Sequence, residues 1–187
     1  MQNLNEIISK IKSISQTKSN VLIAIDGVGG SGKTTLSQYI QKHFKNSAIV
    51  QLDDFYSPKL QGNNIERLKA EVLIPISNGL QAKYKIYEWK TNSYSDWILI
   101  PLNTVVIIEG VFSTDELIRK YYDLTIWLDF DQELGLKRGI ERDIKSDGVD
   151  NTEKWKNIWM PAEKKYINTQ HPQNYVDFVI EGNTVYK

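Results

Sequence analysis

The sequence contains no cysteine. That excludes disulfides, zinc–thiolate sites and thiol nucleophiles, and it suits a reducing cytosol. Nor is there an excess of charge of one sign, since 23 basic residues balance 23 acidic ones. A chain whose main task is to grip nucleic acid carries a basic excess, so no nucleic-acid partner is expected; a local basic pocket for a small anion remains open. No run approaches the ~20 apolar residues that span a bilayer. Residues 1–15 lack the continuous apolar core and cleavage site of a secretory signal. No membrane partner is expected, and the chain reads as a cytoplasmic globule. Repeats and low-complexity tracts are absent as well. What is present is 187 residues, expected as a single domain over 1–187. Such a chain buries roughly 70% of the surface its unfolded form exposes.

Leu4, Ile7, Ile8, Ile11 and Ile14 recur at helical spacing and predict an amphipathic helix over 3–15. The apolar run 21–25 leads into glycines and reads as a buried strand. A helical pattern follows from Lys33 to about residue 45, with Leu36, Tyr39, Ile40 and Phe44 on one side. A strand over 48–52 then ends at Asp53-Asp54. Residues 55–103 break this rhythm. They hold a helix candidate at 65–73, a turn at Ser77-Asn78-Gly79, an alternating aromatic segment at 84–89 and an apolar run at 97–102. They read as an insertion containing a small β-hairpin. Regular order returns with a strand at 104–108 that ends at Glu109-Gly110. Ser113 with Glu116 resembles a capping box opening a helix to about residue 120. A strand at 124–128 follows, then a polar helix at 131–145 broken by Asp147-Gly148. Asp150 with Glu153 marks another N-cap, with a helix to about 167, and a strand at 175–180 closes the set. Strands alternating with helices predict a three-layer α/β fold, a parallel sheet with helices on both faces.

The strongest motif is Gly27-Val28-Gly29-Gly30-Ser31-Gly32-Lys33-Thr34, which satisfies the P-loop pattern G-x-x-x-x-G-K-[ST]. Glycines let backbone N–H groups turn inward around an anion. The loop feeds a helix N-terminus, whose unpaired N–H groups favour phosphate. Lys33 reaches the β/γ-phosphates as a point charge, and the Thr34 hydroxyl can ligate Mg²⁺. Two glycines at these positions arise by chance at roughly 0.005 per window. The added lysine and hydroxyl, with a strand before and a helix after, set a chance turn aside. The expected triphosphate contacts are Gly27, Gly29, Gly30, Ser31, Gly32, Lys33, Thr34 and Thr35, with ATP and Mg²⁺ as cofactors.

Ligands of an open parallel sheet sit beyond the carboxyl ends of its strands. Three strands end there in acids: Asp26, Asp53-Asp54 and Glu109. Singly, each could be a solvated loop residue. Phosphoryl transfer needs one carboxylate for the acceptor hydroxyl and another for Mg²⁺, directly or through water. Asp53 and Glu109 are the candidates, while Asp26 is expected to orient the loop. Arg138 and Arg142 share one face of the polar helix. They can close over a transferring phosphoryl group as a lid across 137–150, although a solvated face with i,i+4 ion pairs is the plainer alternative.

These residues together resemble the uridine kinase and phosphoribulokinase family of P-loop kinases. Leu52-Asp53-Asp54-Phe55-Tyr56 is similar to the family's acidic–aromatic motif, which implies Asp53 as catalytic base and Tyr56 as an acceptor contact. Val106-Ile107-Ile108-Glu109-Gly110 resembles V-x-x-E-G, whose glutamate serves the Mg²⁺ and phosphate site. Arg138-Gly139-Ile140-Glu141-Arg142-Asp143 is similar to the lid R-x-x-x-R-D. Residues 84–89 resemble the tyrosine-bearing hairpin over the nucleoside base, which marks Tyr87 and, more weakly, Trp89. The resemblance implies ATP-dependent phosphorylation of a hydroxyl on a nucleoside or similar small acceptor, bound by the insertion at 55–103. Asn92 stands where uridine kinases place a base-contacting histidine, and Asp147 and Val149 replace two lid arginines, so the acceptor stays open. Tyr84, Tyr87, Trp89, Tyr94 and Trp97 could instead form the insertion's own small core, or a surface on which copies pair as a homo-oligomer. A regulatory ATPase without a small acceptor is the rival reading.

Overall fold

A computed structural model describes residues 2–56, 65–88 and 91–182. Helix α1 (Gln2–Ser15), strand β1 (Val21–Gly27), helix α2 (Lys33–Gln41) and strand β2 (Ser47–Gln51) open the chain, and a 3₁₀ turn (Leu52–Phe55) follows. Ile65–Leu68, Lys69–Leu73 and Ile74–Ser77 run on as helix α3, with a π-helical middle. Short strands β3 (Ala82–Tyr84), β4 (Tyr87–Glu88), β5 (Ser93–Tyr94) and β6 (Ile98–Ile100) make the hairpin, before β7 (Val105–Glu109) and β8 (Leu124–Asp129). Helix α4 (Gln132–Asp147) is followed by helix α5, built from Thr152–Lys154, a π-helical Trp155–Trp159 and Met160–Gln170. Strand β9 (Phe178–Glu181) is the last element.

The main sheet has the order β2-β7-β1-β8-β9, parallel throughout. The three-layer α/β reading holds. β1 sits in the middle and is buried along its whole length, which is why it is a continuous apolar run rather than an alternating one. Successive side chains still part to opposite faces. Val21, Ile23 and Ile25 pack with Leu4, Ile7, Ile11, Leu36 and Ile40 from α1 and α2. Leu22 joins Val50, Phe55, Leu68, Val72, Val106 and Ile108 on the other face. Each fully buried aliphatic contributes roughly 1.5–3 kcal/mol. Register aligns Glu109 with Ile25 of β1 and with Gln51 of β2. The glycine loop, the turn bearing Asp53 and Glu109 therefore all lie at one edge of the sheet.

The structure departs from the sequence reading in several places, the last strand among them, which begins at Phe178 rather than at 175. The helix expected at 113–120 does not form; turns and one 3₁₀ segment (Arg119–Tyr121) take its place. Ser113 Oγ donates to Ile25 O at 2.9 Å instead of capping, and Thr114 N donates to Asp26 at 2.8 Å. Side-chain acceptors compete with helix formation for just such groups. α2 stops at Gln41 rather than near 45, and beyond it Ser47 Oγ donates to Phe44 O at 2.8 Å. The long helices α3 and α5 each widen into a π-helical stretch. In both, a proline follows at the start of the next α-helical segment. A proline ring clashes with the carbonyl four residues back, and a wider turn moves that carbonyl away.

The hairpin is two ladders, not one continuous alternation. Ala82 and Tyr84 face Ile100 and Ile98, while Tyr87 and Glu88 face Tyr94 and Ser93. Between them Ile86 and Ser95 bond to each other, Ile86 N donating to Ser95 Oγ at 3.0 Å. Tyr84 is buried and Tyr87 half-buried, and Trp89 lies outside the described residues.

Candidate functional site

The glycine loop leaves β1 at the centre of the sheet's carboxyl edge. Gly30 has φ 73°, and a Cβ there would stand 2.3 Å from Gly135 O on α4. No other residue type fits. Lys33, the first residue of α2, is buried and donates through Nζ to Gly27 O at 2.9 Å and Val28 O at 2.8 Å. Burial lowers its pKa, while Glu109, Asp26, Glu163 and Asp53 push it back up. Ser31 Oγ is buried without a hydrogen-bond partner among the described residues, a polar atom held ready inside the loop. Thr34 and Thr35 open α2 in exposed positions.

Thr34 Oγ1 donates to Glu109 Oε1 at 2.9 Å. Burial raises the Glu109 pKa, and the Lys33 charge opposes that. A hydroxyl beside a carboxylate suits Mg²⁺, which keeps several waters and takes only one or two protein ligands alongside substrate phosphates. Among the described residues no group of three or more His, Asp or Glu could hold a metal by itself. The donor set fits a metal that arrives with phosphates.

Asp26 lies beneath the loop, with no exposed surface. It accepts from Gly27 N (2.7 Å), Phe112 N (3.2 Å), Thr114 N (2.8 Å), Thr114 Oγ1 (2.7 Å) and Tyr166 OH (2.8 Å). It ties β1, the 112–114 turn and α5 together under the phosphate loop. Burial raises its pKa, and these hydrogen bonds partly reverse the shift.

Beside the loop, Asp53 is exposed on the 3₁₀ turn, and its charge acts on Lys33, Glu109 and Glu163. Its neighbour Asp54 is half-buried and accepts from Tyr84 OH at 3.4 Å. Burial pushes the Asp54 pKa up to about 6. Tyr56 is 39% exposed at the end of the turn. Tyr87 OH is hydrogen-bonded to Asn92 Oδ1, and its ring meets Tyr94 edge-on at 5.3 Å. Arg138 stacks on the Phe130 ring at 4.4 Å. Arg142 donates through Nε and Nη2 to Asp143 Oδ1 at 3.1 and 2.8 Å, and its charge acts on Glu109.

Three residues escaped the sequence reading. Arg67 donates to Phe55 O (3.0 Å), Lys85 O (2.8 Å) and Glu71, and stacks on Phe55 and Tyr94, so it joins α3, the Asp53 turn and the hairpin. Glu163 of α5 receives Gly29 N at 3.2 Å on both carboxylate oxygens. Trp155 covers Gly29 and Gly139, where a Cβ would approach its ring to 2.6 and 2.4 Å. Its indole N–H donates to Asp143 Oδ2 at 2.9 Å. Nothing local in the sequence marks them: Glu163 and Tyr166 lie one turn apart on α5, and their burial is set by packing.

The phosphoribulokinase / uridine kinase family model matches residues 53–185. A uridine kinase from Anoxybacillus flavithermus (strain DSM 21510 / WK1) is 27% identical, with 87% of this chain and 86% of that protein covered. One from Latilactobacillus sakei subsp. sakei (strain 23K) is 28% identical over 72% of each. A solved structure described as a possible uridine kinase from Bacillus stearothermophilus superposes with a TM-score of 0.65 at 20% identity, covering 94% of this chain and all of that one.

Proposed function

We propose, for a chain that belongs to the phosphoribulokinase / uridine kinase family, the ATP-dependent phosphorylation of a hydroxyl on a nucleoside or a similar small acceptor. The observation that carries it is the single sheet edge shared by the glycine loop, the Thr34–Glu109 pair and Asp53. The acceptor oxygen bonds to the γ-phosphorus, the bond to the bridging oxygen breaks, ADP leaves, and the hydroxyl proton goes to Asp53. Bound Mg·ATP would supply the phosphoryl group and charge neutralisation. Lys33 would turn from the loop carbonyls to the phosphates. Thr34 and Glu109 would hold the metal, directly or through water. Arg138 and Arg142 close from α4, and Tyr56 and Tyr87 line the acceptor side.

The relatives named uridine kinases support a nucleoside acceptor, whereas Asn92, Asp147 and Val149 leave the base and ribose unspecified. Those drifted acceptor positions motivate the rival, a regulatory ATPase that needs no acceptor. An ATP-consumption screen across nucleosides, polar alcohols and sugar phosphates separates them. Stimulation by one acceptor class is the expected result; slow hydrolysis, indifferent to every acceptor, would establish the rival.

A further inference from the structure

The phosphate loop already holds an anion of the chain's own. Both oxygens of Glu163 lie 3.2 Å from Gly29 N, inside the run of N–H groups that a triphosphate needs. Glu163 is only 6% exposed, so this is a built contact and not a surface side chain at rest. Lys33, the cation that the motif offers to phosphate, meanwhile spends its donors on Gly27 O and Val28 O. The cradle thus has the Gly29 N–H and the Lys33 ammonium engaged internally.

We propose that Glu163 is an internal stand-in for phosphate, which keeps the cradle closed and which a triphosphate must displace in order to bind. The inference rests on the triphosphate reading given above. Two anions cannot share the Gly29 N–H, and like charges at contact in a dry site repel strongly. Burial raises the Glu163 pKa, while the Gly29 N–H and the Lys33 charge hold it down against the smaller repulsion of Asp26 and Asp53.

Displacement would also reach the lid. Glu163 shares α5 with Trp155, whose ring separates Gly29 from Gly139 of α4 and whose N–H holds Asp143, the partner of Arg142. Moving Glu163 off the loop loosens the helix that steadies that arginine. Loop occupancy and lid position are then one event.

The test compares the wild type with Glu163→Gln and Glu163→Ala by calorimetry, using a nonhydrolysable Mg·ATP analogue and, separately, pyrophosphate. Both variants are expected to bind both probes at least tenfold tighter than the wild type, while melting at a lower temperature without ligand. If Glu163 merely braced the loop, the variants would bind equally or more weakly, and that outcome overturns the inference alone. If neither the folded wild type nor either folded variant binds a probe, the triphosphate reading falls and this inference with it. Should the variants not fold, hydrogen exchange on the wild type decides. The analogue is expected to slow exchange over 27–35 and to speed it over 155–170; slowing in both segments overturns the proposal.

Discussion

The two halves of the site are built differently. The phosphate edge is buried and cross-linked: Asp26 has no exposed surface and accepts five hydrogen bonds from three separate segments. The acceptor side is assembled from a 3₁₀ turn, two ladders of two and three residues, and half-exposed aromatics, joined through Arg67. Short ladders have little stability of their own and depend on what they pack against. The half proposed to hold the nucleotide is tied down from many sides, and the half proposed to distinguish acceptors hangs on a few side chains. The same division decides what a substitution can disturb.

The sharpest test of that division is Asp53→Asn. Turnover of a confirmed acceptor should fall by ~10²–10⁴, with affinity for the ATP analogue unchanged by calorimetry. A matching loss of nucleotide affinity would mean that the halves are not separable. Next is Asp26→Ala, which strands buried donors on β1, the 112–114 turn and α5. Chemical denaturation should show a loss of about 3 kcal/mol, and nucleotide affinity should fall with it. Arg67→Ala should cost about 2 kcal/mol through its lost charged hydrogen bonds. Its side chain is only 14% exposed, so solvent replaces those bonds poorly. The mark of the acceptor side would be a raised KM for the acceptor with the KM for ATP unmoved.

The smallest effect concerns pH. Asp54 in the folded chain titrates near 6 against an ordinary 3.8. Between those values the folded form binds more protons than the unfolded one, so stability falls as pH rises through the window. Above about 6 the loss is complete. Partial exposure screens it to below about 1 kcal/mol. Asp54→Asn should flatten that part of the stability–pH curve, and denaturation midpoints at pH 4 and 7 measure it.

Much of the phosphate edge was legible in the sequence because its signals are local. The four fixed positions of the glycine loop, a preceding apolar run and acids at strand ends need no knowledge of distant residues. The absent helix at 113–120 was illegible for the opposite reason. Its N–H groups are claimed by Asp26, 88 residues from Thr114 in sequence, and the local capping pattern competes against a partner it cannot see. Arg67 and Glu163 were missed alike. Each sits on an ordinary helix, and only tertiary packing brings Arg67 to the Phe55 carbonyl or Glu163 to the Gly29 amide. The two π-helical stretches had a visible cause, Pro75 and Pro161, but a proline signals a disturbed helix without saying which way the turn adjusts.

Trp155, clasped between Gly29 and Gly139, also makes the molecule its own optical instrument. An indole against the glycine loop and α4 at once changes surroundings whenever either moves. The chain has five tryptophans, and of these Trp97 and Trp159 are substantially exposed. Replacing the other four by phenylalanine would leave an emission spectrum that reads loop occupancy directly, with no label attached.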